Sequence, residues 1–412
     1  MAKPNLHFAS LSTTAKSTLK QLKLSEAATF LRGSSLSKDD VREVADVSNG
    51  APCVLYGHLY TTYGEIAYSS KYVTDAEIDE KVTSNAGDVL MPTSDVTPRG
   101  LATATCVMFD NAIVGGDINI LRPQPGIDGR YLSLAINSQK QKLYPLIVGS
   151  TVRHLHASDL KGLSYFFPCI EEQQKIAEFF TALDEKIRIC EAKIDSTERL
   201  LAGLMDALFK QKIRLKNSEG SYYPDWRKST IGKEGSFHYG KSAPKWSLSD
   251  EATTPCVRYG DLYTKFRYKI DSVNTFTNID KKDLVFSKGG EVLVPRVGED
   301  PNDFCKCAYL PFEGIAIGEM VSIYESQHDG MFLSFYFNSQ MRKEFAKYVE
   351  GGNVSNLYYT YLEDIEITIP SLEEQKAISE FLTDVVNKLD FLKQSKQKYI
   401  TLKKAFMQRM FV

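Results

Sequence analysis

The chain has 412 residues, 43% of them hydrophobic, 25% charged and 11% aromatic, with a formal net charge of −2. That length exceeds one ordinary core and implies two or three domains. No run of about 18 apolar residues suits a membrane span, residues 1–20 lack an apolar signal core, and the near-neutral charge excludes a uniformly basic DNA-coating protein. The expected setting is the cytoplasm, with no membrane partner. The seven cysteines have no framework spacing, which fits free thiols in a reducing compartment. Cys305 and Cys307 form a lone C-x-C. A zinc site usually takes four ligands in paired clusters, so these two read as ordinary thiols and no metal is expected.

In the first half, short apolar runs bounded by Gly or Pro read as strands at 52–56, 89–91, 113–114 and 118–121. Residues 132–143 read as a helix. A longer helix follows. Its apolar positions step by four and three through Ile176, Phe180, Leu183, Ile187, Cys190, Ile194, Thr197, Leu201, Leu204 and Leu208. That is a heptad seam broken only at Thr197. After a linker at 217–220 the chain enters Tyr223-Pro224-Asp225-Trp226 and a second mixed region, with a helix expected at 332–348. A last long helix carries Ile378, Leu382, Val385, Leu389 and Leu392, weakens at Lys396 and resumes at Tyr399 and Phe406. Ser371 and Glu374 form an S-x-x-E capping box at its start.

The second half repeats the first with an offset of about 202 residues. PCVLYGHLYT at 52–61 matches PCVRYGDLYT at 255–264. IEEQQKIAEFFTALDEKI at 170–187 matches LEEQKAISEFLTDVVNKL at 372–389. Each long helix, at about 40 residues, spans about 60 Å. A single amphipathic helix of that length cannot bury its own seam, so the two are expected to pair antiparallel as a bar with two related heads. The fold class is α+β: two pseudo-repeated recognition domains at 1–168 and 217–370, joined by long helices at 169–216 and 371–412.

These features resemble the specificity subunit of type I restriction-modification systems, often called HsdS. The resemblance rests on P-x-x-E-E-Q at Pro168 and Pro370, on I-x-E-F at Ile176 and Ile378, on the Tyr56-Gly57 and Tyr259-Gly260 strands, and on the duplication. It implies a non-catalytic DNA reader whose two target-recognition domains each read half of a split asymmetric site in double-stranded DNA, the helices setting the unread gap. It also implies two methyltransferase subunits and restriction/translocase subunits as partners, with S-adenosylmethionine, ATP and magnesium used by those partners and no cofactor on this chain. From below, half-sites one turn apart need heads separated by about 34–36 Å or more, within reach of the bar.

Two motifs point elsewhere. Residues 235–242 satisfy G-x-x-x-x-G-K-[ST], yet Pro244 follows closely and opposes the helix a P-loop needs. Lys241 is read instead as a phosphate contact. Glu191-Ala192-Lys193 resembles a nuclease triplet but lies within the helix, as a solvated face pair. The rival readings are a P-loop ATPase and a homodimeric coiled-coil scaffold without a DNA role.

Base reading uses Arg, Lys, Asn, Gln, Ser and Thr on loops that enter a groove. The repeat places three loop pairs at matching positions. The first holds Thr61, Thr62 and Tyr63 against Thr264, Lys265 and Arg267. The second holds Thr93, Ser94, Thr97 and Arg99 against Arg296 and Asn302. The third holds Thr151, Arg153 and His154 against Asn353, Ser355 and Asn356. For partner docking the candidates are Glu171, Glu172 and Phe179 with Glu373, Glu374 and Phe381; the phenylalanines serve equally well as seals between head and helix.

Overall fold

The computed structural model describes residues 19–46, 50–78, 81–352 and 354–411. They fall into two units, residues 1–191 with 394–412 and residues 192–393. Each unit therefore takes a head together with a segment of both long helices.

In the first unit the central sheet runs Ala28–Arg32, Ile118–Pro123, Val89–Pro92, Thr105–Val107 and Ile66–Ala67. The second unit repeats the order with Gly235–Tyr239, Val321–Ser326, Glu291–Pro295 and Ala308–Leu310. A further four-stranded sheet completes each head. An N-terminal strand closes each head against its last one, Lys20–Lys23 on Ser164–Phe167 and Arg227–Thr230 on Glu366–Ile369. The central strands are buried along most of their length, which explains why they read as continuous apolar runs and not as alternations.

The head helices start earlier than the sequence suggests. Gly129–Ser138 begins at an Asp128 cap whose carboxylate accepts from the Arg130 and Tyr131 N–H groups, the usual device for satisfying first-turn donors. Gly330–Gln340 begins likewise at Asp329, 2.7 Å from the Phe332 nitrogen. The expected single helix at 332–348 breaks at Met341, and Arg342–Lys347 forms a separate one. Gly129 sits where a Cβ would lie 1.9 Å from the Gly87 carbonyl oxygen, so only glycine lets the helix lie this close to the sheet.

The long helices span Ile170–Phe209 and Leu372–Phe411. The first stops short of Lys216: Gln211 takes a positive φ of 54° just beyond it, a left-handed cap. Their seams close the head cores. In the first unit Ile176, Ala177, Phe180, Leu183, Met410 and Phe411 belong to the core of the head, and the Phe411 ring lies 5.2 Å from Tyr131 and 6.0 Å from Phe180. In the second unit Leu201, Met205, Leu208, Phe209, Ile378 and Leu382 do the same. Within each unit the helices run antiparallel: Phe179 packs on Phe406 and Glu191 pairs with Lys396 in the first, while Glu198 pairs with Lys393 in the second. The weak seam position Lys396 is thus an ion-pair site, and Glu191 of the nuclease-like triplet is its partner.

The glutamine of each E-E-Q motif fixes helix to head. Gln173 accepts from the Asp128 N–H at 3.0 Å and donates to the Gly126 and Pro168 carbonyls at 3.1 and 2.9 Å. Gln375 accepts from the Asp329 N–H at 2.9 Å, donates to the Pro370 carbonyl at 2.9 Å and contacts His328 Nδ1 at 2.9 Å. Both side chains are buried, so each bond is made away from water and its loss leaves an orphaned backbone group. Gln173→Leu and Gln375→Leu should each destabilise their own unit by about 2–3 kcal/mol, read as faster hydrogen exchange in that unit with the other unchanged.

Candidate nucleic-acid interface

In the first head the chain leaves strand Val89–Pro92 through Thr93, whose N–H donates to the Asp117 carbonyl and whose carbonyl accepts from Leu155, at 2.8 and 2.9 Å. Ser94–Asp95 then pairs with Arg153–His154 in the register Arg153↔Asp95. The second and third loops therefore form one ribbon. Buried Asp95 organises it, accepting from the Val96 N–H at 2.6 Å and the Thr97 hydroxyl at 3.1 Å. Thr97 in turn caps Pro98–Leu101 through the Gly100 N–H. A Cβ at Gly100 would stand 1.6 Å from Asp95 Oδ2, so this turn requires glycine. Tyr60 of the first loop lies against Asp95: burial and then that carboxylate hold its pKa above the usual phenol value.

The second head builds the same junction. Val297–Gly298 pairs with Ser355–Leu357 in the register Val297↔Asn356, and the Tyr263 hydroxyl donates to the Val297 carbonyl at 3.0 Å. In each head the three loops converge on one face, held by a tyrosine from the first.

The candidates separate by what their side chains already do. Arg99, Thr151, His154, Arg267 and Asn302 are exposed. His154 stacks on His156 with ring centroids 6.0 Å apart, and Arg267 lies over Tyr268. Thr93 and Ser94 are half-buried in the ribbon. Arg153 donates to the Val96 carbonyl at 2.7 Å, which aims its guanidinium across the ribbon. The Arg296 guanidinium is held 4.4 Å from the Tyr239 ring centroid and 5.3 Å from that of Tyr358. Lys265 bonds Asp261 and Thr275, and Lys241 lies 3.7 Å from Asp283. Thr61 and Thr264 bond back to the Gly57 and Gly260 carbonyls at 2.8 Å, Thr62 meets the Tyr72 hydroxyl, and the Tyr63 hydroxyl accepts from the Lys71 N–H. Asn356 is half-buried, while Asn353 lies outside the described residues.

Three of the expected contact residues, Ser355, Glu172 and Glu374, need correction. Ser355 is buried in its strand and bonds the Gly352 carbonyl, so it frames the ribbon and does not reach out of it. Glu172 and Glu374 are buried too, and no partner surface can reach them. Glu374 lies 3.8 Å from the Arg214 guanidinium, and its N–H donates to the Ser371 hydroxyl oxygen at 3.3 Å, one of the two bonds of a capping box. The P-loop pattern at 235–242 is a strand, Gly235–Tyr239, followed by positive-φ turns at Ser242 and Ala243 and only a short 3-10 turn, Lys245–Ser247. Among the described residues no α-helix begins between Tyr239 and Tyr259. Cys305 and Cys307 are buried, and burial pushes the Cys305 thiol up to about 11.

Other groups on these faces escaped the sequence reading. Arg32, Lys38 and Tyr56 line a cavity of about 420 Å³ with Asp117, the acceptor for Thr93. Tyr239 and Tyr358 hold Arg296, and Trp246 is 76% exposed. The repeat gave no signal for them, because Tyr239 occupies the place of Arg32 and no residue of the first half marks Trp246.

The first loop is also tied to the helices, by different chemistry in each head. In the first, Lys403 of the last helix bonds Glu65 at 2.7 Å and Asp184 at 2.5 Å. In the second, Tyr268 takes the place of Glu65: Ser133 and Ser334 donate to the carbonyls of these two residues at the same 2.7 Å. Tyr268 packs among apolar side chains, with its hydroxyl 3.7 Å from Met205 Sδ. Burial and the two carboxylates set opposing effects on Lys403, whose pKa is raised on balance. Glu65 is lowered, while burial outweighs Lys403 at Asp184 and raises it.

Two predictions follow from the first head. Lys403→Met removes the cation bonded to both carboxylates and should destabilise the first unit by about 2 kcal/mol at pH 7, less than for a fully buried pair because Asp184 stays partly exposed. Without the ammonium both carboxylates take up protons as the pH falls, so the gap from wild type, read as melting temperature, should narrow on acidification. His58 has a pKa of about 4, against 6.5 ordinarily, because burial and then Lys38 disfavour its cation. Its Nδ1 accepts from the Leu55 N–H at 3.1 Å, and its ring stacks on Tyr72. The unfolded chain binds the extra proton between those two values, so the stability of the first unit should fall as pH drops through that window. His58→Gln should flatten the dependence.

A family model described as the type I restriction modification DNA specificity domain matches residues 16–199 and again 224–400. The chain is 27% identical over 317 residues to the chain designated as the specificity subunit of the type I restriction enzyme MjaX of Methanocaldococcus jannaschii, covering 71% of this chain and 70% of that one. Its fold is similar to the crystal structure of the S subunit of a type I restriction-modification system from M. genitalium, with TM-score 0.62, 14% identity and coverage of 100% and 99%. It is also similar to a chain from a study of complex assembly and conformational transition of the type I restriction-modification system, with TM-score 0.55, 16% identity and coverage of 96% and 99%.

Proposed function

Because the chain belongs to the type I restriction-modification DNA specificity family, we propose that it is the sequence-reading subunit of such a complex, each head reading one half of a split site in double-stranded DNA. The observation that carries this reading is the convergence of the three loops on one face in each head, on a shared frame bearing unlike side chains. Arg99, Arg153 and His154 differ in hydrogen-bonding pattern from Lys265, Arg267, Arg296 and Asn302, as readers of unlike half-sites require. Lys241 and Lys38 suit phosphate, which positions the head without specifying sequence.

The paired helices would set the gap between half-sites and dock two methyltransferase subunits. Exposed Glu171, Glu373, Phe381 and Phe391 remain available for that docking. In this reading methyl transfer from S-adenosylmethionine, ATP use with magnesium, and cleavage belong to the partner subunits, the restriction/translocase subunits among them, and this chain has no catalytic role. No helix among the described residues is long and apolar enough to cross a membrane.

The test is modified-base sequencing of DNA from cells producing the chain with a matched methyltransferase subunit. A split motif with methyl-adenine in each half is expected. The triple variant Thr62→Ala, Arg99→Ala and Arg153→Ala should relax or abolish one half. Lys265→Ala, Arg267→Ala and Asn302→Ala together should alter only the other, at about 1–3 kcal/mol per lost base contact. No new methylation from a stable complex, or both halves changed by either variant, would contradict it.

A further inference from the structure

The first head carries an arginine on a buried aspartate where the second carries two carboxylates. Arg122 follows Leu121, the register partner of Val89, and so stands opposite Asp88. Its guanidinium forks onto that carboxylate at 3.0 and 2.8 Å, and Asp88 is 1% exposed. In the second head the register Val292↔Tyr324 puts Glu291 opposite Glu325 in the same two places. Glu291 is 3% exposed. One of its oxygens accepts from the Lys288 N–H, while Oε2 has no hydrogen-bond partner among the described residues.

The nearby cations sit on Glu325 and Glu234, and none bonds Glu291 Oε2. The Lys288 ammonium sits on Glu325 at 2.8 Å with 73% of its side chain exposed, and His238 lies 3.7 Å from the same carboxylate. Glu234 is taken by Arg227 and His328, and that guanidinium holds its pKa near 2. Glu234, Lys288, Glu291 and Glu325, with Lys233 and Ser236, border a cavity of about 550 Å³. Lys288 offsets the charge of Glu325, but a buried carboxylate oxygen without a partner stays unfavourable. A planar cation that bridges Glu291 and Glu325 removes that cost. In the matching place of the first head the cation is the guanidinium of Arg122.

We propose that this cavity is a binding site for a guanidinium group, which forks onto Glu291 Oε2 and Glu325 as Arg122 forks onto Asp88. The site lies at the start of strand Glu291–Pro295, the end of the sheet away from Arg296 and the reading loops, so it stands independently of the DNA reading. Two sources share this chemistry: a free guanidino compound, and an arginine of a partner subunit.

The experiment is calorimetric titration of the full chain with agmatine at matched ionic strength, for wild type, Glu291→Gln and Glu325→Arg, with circular dichroism to verify folding. Saturable binding to wild type is expected, weakened roughly tenfold or more in both variants. Glu325→Arg should also raise the melting temperature, because it supplies the guanidinium in cis as the first head does. Binding retained in the complex with the methyltransferase subunit assigns the site to a free compound; binding lost there assigns it to the partner's arginine. No saturable binding to wild type, or equal affinity for all three proteins, would overturn the proposal.

Discussion

The structure depends on the need to bury the apolar seam of two 40-residue amphipathic helices. Neither helix can do this alone, and the heads are where most of it goes. Phe180, Met410 and Phe411 complete the core of the first unit, and Leu208, Phe209 and Ile378 that of the second. A head is therefore not a bead tied to a rod, because its interior includes a piece of each helix. The buried glutamines Gln173 and Gln375 add direction to this apolar packing: each reads the backbone at the start of a head helix and at the preceding proline.

A rigid core of this kind frees the outer loops to vary. The second and third loops form a ribbon in both heads, with the same pairing but different side chains. Positive charge is local there: Arg99, Arg153, Lys265, Arg267 and Arg296 gather on loop faces of a chain whose net charge is −2. Local charge of this kind attracts phosphate at short range, while a modest total limits non-specific binding. The tie between first loop and helices is ionic through Lys403 in the first head and apolar through Tyr268 in the second, so one frame tolerates two solutions to the same contact.

Much of this was legible in the sequence. The duplication, the heptad seam and the E-E-Q motifs gave the fold class and the helix pairing, because burial at a fixed period leaves a strong imprint. The head helices began earlier than read, since the caps at Asp128 and Asp329 precede glycines that look like turn residues. The pairing of the loops was legible by position, the setting of each side chain was not. Ser355 and Glu374 have the chemistry of surface contacts and lie buried, which only tertiary packing decides. Tyr239 and Trp246 were missed because stacking partners and exposed aromatics leave no local pattern.

The central claim is that each head specifies its own half of the target. The most direct measurement replaces residues 217–370 with a second copy of the first head, produces that chain with the methyltransferase subunit, and sequences the methylated sites. The account predicts a motif in which the half read by the first head occurs twice. Persistence of the original second half would contradict it, because sequence would then be read by something other than the heads.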